Sequence, residues 1–148
     1  MRCNTGINPE LLADQHLCEL SELKMVPGTL VRIDFIPKSS VPKKFKLNNG
    51  HIGFFYDKLN YLEKRHKAVY AECVRRGRNG LNEFYQKDKI PDRFWKDWMP
   101  TMEDSMIVRE RIYQKLLAKS NYWRYEGSII SDIKAFAQRM MDSPLHYV

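Results

Sequence analysis

Residues 12–23 read LADQHLCELSEL, and they crowd Gln15, His16, Glu19 and Glu22 into one short stretch. Carboxylates and imidazoles are the side chains that most often move protons in acid–base catalysis. On a helical wheel Gln15, Glu19 and Glu22 share a polar stripe, with Gln15 and Glu22 two turns apart. His16 falls inside the apolar arc of Leu12, Ala13, Leu17, Leu20 and Leu23. On spacing alone the glutamates read as a solvated face and His16 as a hydrogen-bonded core histidine.

Charge points to a partner. The 148 residues carry 25 Lys plus Arg against 18 Asp plus Glu, a net charge of +7, and the pI is near 9.3. Basic residues cluster in KSSVPKKFK at 38–46, KRHK at 64–67 and RRGR at 75–78, while acidic ones dominate the first helix. A basic surface beside an acidic feature suits a polyanion, most commonly nucleic acid.

Other classes are set aside by what is missing. Cys3, Cys18 and Cys73 form no CxxC pair, so neither a zinc site nor another metal is expected. Reduced thiols are the simplest reading, with Cys18 and Cys73 as packing residues. No apolar run reaches the roughly 18 residues of a membrane span, and the leading residues lack a signal-peptide core. A cytoplasmic protein is expected.

The elements that would position these residues are helical. Asn8 is a good N-cap and Pro9 a good first residue for a helix running to about Lys24, with Pro27-Gly28 as its stop. Thr29–Phe35 (TLVRIDF) reads as extended chain and 37–50 as loop. A long helix is expected from about Phe54 to Arg76, with Gly77 as its C-terminal stop. Residues 78–100 read as irregular, anchored by Phe84, Phe94, Trp95 and Trp98. A third helix is expected from near Thr101, capped by Asp104, to about Ala118. Ile129–Met141 reads as a short fourth helix. The expectation is a single all-α domain over residues 1–148 with long loops, residues 128–148 forming a C-terminal extension.

These landmarks together resemble the pyrimidine-dimer DNA glycosylase family of the phage endonuclease V type. ADQHL at 13–17 with Glu22 matches that family's first helix. GHIGFFYDKLNYLEKRHKAVYAECVRRG at 50–77 looks like its central helix, with FFYDKL and AECxxRG nearly intact. Ile90-Pro91, Phe94, Pro100, Arg111, Lys115 and YWRYEG at 122–127 follow in the same order. The resemblance spans residues 2 to 127 and implies a compact three-helix fold with no cofactor. It also implies excision of a damaged base from duplex DNA, most simply a UV pyrimidine dimer, and strand cleavage by β-elimination.

The resemblance implies roles as well. The nucleophile is the first residue's α-amine, assisted by a helix-1 glutamate, here Glu22. An α-amine suits the task because its reference pKa is about 7.7–8.0, against about 10.4 for lysine. At neutral pH roughly a tenth of it is already free base. Two departures stand out. Relatives lose Met and use a Thr amine, whereas here Arg2 follows Met1 and disfavours removal of Met, which leaves Met1 in the nucleophile's place. Ser21 and Met25 stand where the family carries two strand-gripping arginines. Lys24 and the Lys43–Lys44 loop are expected to compensate.

The remaining DNA contacts are assigned to Arg2, Gln15, His16, Arg111, Lys115, Tyr122, Trp123 and Arg124. Arg111 and Lys115, four apart on one helix face, can meet adjacent phosphates. Tyr122, Trp123 and Tyr125 suit base stacking, with at least one expected in the core. The protein is expected to act as a monomer. The competing readings are a non-catalytic DNA-binding module on the same scaffold, such as a decoy in a phage–host conflict, and a single-strand RNA binder.

Overall fold

The computed structural model describes residues 2–148. Its elements are nearly all helical. They are α1 Glu19–Glu22, α2 Met25–Arg32, α3 His51–Phe54, α4 Leu59–Arg75, α5 Met102–Ala118 and α6 Ile133–Asp142. A two-stranded antiparallel hairpin, β1 Arg124–Tyr125 and β2 Ser128–Ile129, comes between α5 and α6. Among the described residues no helix is long and apolar enough to cross a membrane.

Two 17-residue helices carry the core. α4 buries Leu59, Leu62, Val69 and Cys73 at helical spacing, with Arg65, His66 and Glu72 buried beside them. It ends where expected, at Gly77, whose φ of +84° suits a residue without a Cβ. α5 begins with the expected capping box. The Asp104 N–H donates to Thr101 Oγ1 at 3.1 Å and the Thr101 N–H to Asp104 Oδ2 at 2.9 Å, a motif of about 1 kcal/mol. The buried apolar side chains of both helices join one cluster with those of residues 3–30 and of the aromatic loop. Truncating a fully buried member such as Leu62 or Leu23 to Ala should cost about 2–5 kcal/mol.

The stretch before α2 departs from expectation. Pro9–Lys24 is not one α-helix: Pro9–Leu11 and Asp14–Cys18 are 3-10 turns, and only Glu19–Glu22 is α-helical. A 3-10 turn advances about 20° more per residue than an α-helix, so five such residues rotate the wheel by about 100°. The polar stripe is therefore split. Glu19 is fully buried, while Leu12, Ala13, His16, Leu17, Leu20 and Leu23 all reach the core as expected.

Pro27-Gly28 does not stop a helix but lies inside the next one. Pro27 is the third residue of α2, where a helix leaves its N–H without an intrahelical partner anyway. Thr29–Arg32 is accordingly helical rather than extended, and Asp34 and Phe35, both at positive φ, turn the chain afterwards. The 37–50 loop and the irregular 78–100 segment are as expected, with Phe94 and Trp95 buried and Phe84 and Trp98 packed against the core. α6 starts later than expected, capped by Asp132, because Ser128–Ile129 is taken up by the hairpin. α6 packs on α5, and its Ala137 and Met140 are part of the common core.

Candidate active site

The leading segment is held in place from below. The Asn4 backbone N–H donates to Glu19 Oε1 at 2.8 Å, and its side-chain amide donates to Glu19 Oε2 at 3.0 Å. The same carboxylate takes two bonds from Arg65, Nε at 2.9 Å and Nη2 at 3.0 Å, while Arg65 Nη1 reaches the Ile7 carbonyl at 2.6 Å. Neither charged side chain is exposed. Burial alone would lower the Arg65 pKa, but the Glu19 carboxylate more than offsets this and raises it. Glu19 is thus a structural acid.

Glu22 faces the other way. It lies one turn further on, half-buried, on a cleft of about 410 Å³ that Arg2, His16, Met25, His51, Arg111 and Lys115 also line. Among the described residues it is the only carboxylate lining this cleft. Arg2 Nη1 approaches Cys18 Sγ at 3.0 Å, and Cys18 Sγ lies 3.7 Å from Glu22 Oε1. Cys18, expected in the packing, is exposed and joins the cationic start of the chain to the acid, whereas Cys73 is buried as expected.

The cleft walls are cationic. Burial holds the Lys115 ammonium below its ordinary pKa, and Arg111 and Arg2 add to the effect. His16 is stacked on Trp123, with ring centroids 4.6 Å apart. Burial lowers the His16 imidazole to about 4, helped by Arg2 and Lys115, so the ring is neutral near pH 7. Neither of its nitrogens has a protein hydrogen-bond partner among the described residues. His51 donates from Nδ1 to the Lys46 carbonyl at 2.8 Å, which leaves Nε2 as an acceptor.

Arg2, His16, Glu22, Arg111 and Lys115 thus meet on one cleft. A family model described as pyrimidine dimer DNA glycosylase matches residues 2–86, more than half of the chain. This chain belongs to the pyrimidine dimer DNA glycosylase family. Membership makes it a DNA repair glycosylase acting on pyrimidine dimers, with DNA as its substrate. The matched range includes the leading segment and α1 to α4. Arg111 and Lys115 of this glycosylase come from α5, beyond it, and line the same cleft.

Other residues named from sequence sit elsewhere in the glycosylase. Met1 lies outside the described residues. Gln15 does not line the cleft; its amide accepts from the Arg124 N–H at 3.0 Å and donates to the Tyr122 carbonyl at 2.7 Å, tying the hairpin to the start of the fold. Trp123 is buried under His16, while Tyr122 and Arg124 are exposed. Lys24 lies near the Tyr85 ring, 5.9 Å from its centroid, on a neighbouring groove. Lys43 and Lys44 are exposed on the 37–50 loop, whose Leu47 and Asn48 line the cleft. Met25 lines the cleft as an exposed apolar residue, and the Ser21 hydroxyl bonds the Cys18 carbonyl at 3.0 Å.

The AECVRRG stretch proves to be a clamp. Glu72 accepts from both Arg75 and Arg76, and Arg76 also bonds Asp14 Oδ1 at 2.8 Å. Asp14 in turn receives the N–H groups of Glu126 and Gly127. Sequence reasoning missed Glu19, Arg65 and the bridging Cys18. The available signal for Arg65 was its place on the buried spacing 62–65–69 of a helix, where a lone arginine demands a carboxylate.

Proposed function

We propose that this glycosylase is also an abasic-site lyase, with the Met1 α-amine as nucleophile and Glu22 as its proton-transfer group. The observation that carries the reading is Glu22, among the described residues the one carboxylate lining a cleft whose Arg2 directly follows Met1 in sequence.

In this scheme the amine lone pair attacks C1′ of the damaged nucleotide. The glycosidic C–N bond breaks and its electrons leave with the base, which is protonated. Glu22 stabilises the cationic sugar and relays protons during ring opening to the Schiff base. Removal of a C2′ proton then forms the C2′–C3′ double bond and expels the 3′ phosphate. Arg2, Arg111 and Lys115 hold phosphates, with Lys24, Lys43, Lys44 and Arg124 extending the basic surface along the strand. The neutral His16 ring offers a donor at the cleft edge, supported by Trp123. Tyr122 is the exposed ring available for stacking, and Gln15 braces the hairpin that carries it.

Borohydride trapping on a duplex with one abasic site tests the scheme. The wild-type protein should form a covalent adduct mapping to its first residue by mass spectrometry. Glu22→Gln should bind the duplex but lose strand cleavage by about 10²- to 10⁴-fold. Binding without adduct or cleavage in the wild type would leave a DNA-binding module on this scaffold. A UV-irradiated duplex set beside modified-base oligonucleotides then reads how strictly the enzyme keeps to pyrimidine dimers.

A further inference from the structure

Arg109 is fully buried, and among the described residues it has no carboxylate partner. Its guanidinium is satisfied by neutral acceptors from two ends of the chain. Nη1 donates to the carbonyls of Met140, Met141 and Ser143 at 3.1, 3.1 and 2.6 Å. Nη2 donates to the Pro144 carbonyl at 3.1 Å and to the Gly6 carbonyl at 2.9 Å. Nε donates to Ser105 Oγ at 2.9 Å. Four of these carbonyls belong to the end of α6 and the chain just after it, where unpaired helical carbonyls and the dipole favour a cation. The fifth belongs to the leading segment.

The tail adds a direct contact. The His146 N–H donates to the same Gly6 carbonyl at 3.0 Å. Gly6 has a φ of +73°, and a Cβ there would stand 2.6 Å from both Leu145 Cδ1 and Ser105 Oγ. The tail and α5 therefore press on the backbone of residue 6. On the far side Arg65 grips the Ile7 carbonyl, and Glu19 grips Asn4. Two buried guanidiniums thus hold residues 4–7 between them, and one of them depends on residues 140–146.

We propose that α6 and the following tail form a latch that works through Arg109 to fix residues 4–7 of the leading segment, and that the amine's reaction depends on this latch. This rests on the reading of that amine as nucleophile. Arg109 is a positioning residue in this scheme: it touches no substrate and acts through Gly6. Its rigid fork reaches both chain ends at once, which the single ammonium of lysine does not.

The test uses full-length His146→Pro, which deletes one N–H to Gly6, and Arg109→Lys, which keeps the charge but not the fork. Far-UV circular dichroism confirms that each variant is folded. Single-turnover borohydride trapping at saturating abasic duplex should slow about 10- to 100-fold, since a displacement of about 1 Å has that effect. Affinity for the same duplex should stay within about twofold, because neither residue lines the cleft. Hydrogen exchange of residues 2–8 should rise in both variants. If Arg109→Lys fails to fold, His146→Pro alone decides. Folded variants that trap at the wild-type rate overturn the latch. If the wild type itself traps nothing, the amine reading falls, and exchange still judges the latch: unchanged protection of residues 2–8 overturns it.

Discussion

Glu19 and Arg65 meet in a two-point ion pair with neither side chain exposed, and the same carboxylate receives both the backbone and side-chain N–H groups of Asn4. Removing one partner leaves the other charge buried and uncompensated, which typically costs about 3–5 kcal/mol. Glu19→Gln should lower the free energy of unfolding measured in urea by that amount. Glu22→Gln, three residues on at the cleft, should change it by less than about 1 kcal/mol. Equal losses from the two substitutions would mean that the acids are not divided into structural and site roles.

The burial of Glu19 was not legible in the sequence, and the reason is geometric. Glu19 and Glu22 share a stripe only if the helix is regular, and the 3-10 turn Asp14–Cys18 removes that regularity. The same irregularity admits Pro27 into the first turn of α2, where a stop was expected. The long helices were legible because their apolar spacing, the Thr101 box and Gly77 are local signals. Arg111 and Lys115, which line the cleft, were singled out by their i,i+4 spacing together with the family pattern. Arg109, two residues before Arg111 on the same helix, gave no such signal. Apart from Ser105, its partners are carbonyls more than 30 residues away, and backbone acceptors carry no side-chain signature.

Arg111 and Lys115 supply sequence-independent attraction if they neutralise phosphates. Each replaced by Ala should weaken binding to any duplex uniformly and reduce the slope of log K against log salt by about 0.9. Fluorescence anisotropy across a salt series reads both quantities. A weakened affinity with an unchanged slope would place these cations away from the backbone.

His16 makes stability depend on pH in a defined window. Its folded pKa of about 4 lies below the ordinary 6.5, so the unfolded chain binds the proton first. Stability is therefore full above about pH 6.5 and falls as pH drops from there towards 4, by up to about 3 kcal/mol. His51, His66 and His146 are lowered too, each chiefly by burial, and keep part of the slope in any His16 variant. Urea melts from pH 7 to 4 should show a flatter profile for His16→Asn than for the wild type. Parallel profiles would mean that His16 takes up its proton at the same pH in the folded and unfolded chains.

Cys18 offers a chemical probe of the site without mutation. It is the exposed thiol, while Cys3 and Cys73 are buried. Burial of part of its surface and then the Glu22 carboxylate raise its pKa, partly offset by Arg2, so labelling by iodoacetamide should be slow at pH 7 and faster at pH 9. The added carboxamidomethyl group would put bulk between Arg2 and Glu22, which deletion of the thiol does not. Peptide mapping should find modification at Cys18 alone in the folded protein. The modified protein should retain salt-sensitive duplex binding and lose strand cleavage by at least about 10-fold. Cys18→Ala should resist the reagent and keep its cleavage activity during the same treatment. Full cleavage by stoichiometrically modified wild-type protein would show that the Arg2–Glu22 side of the cleft is not where the strand is cut.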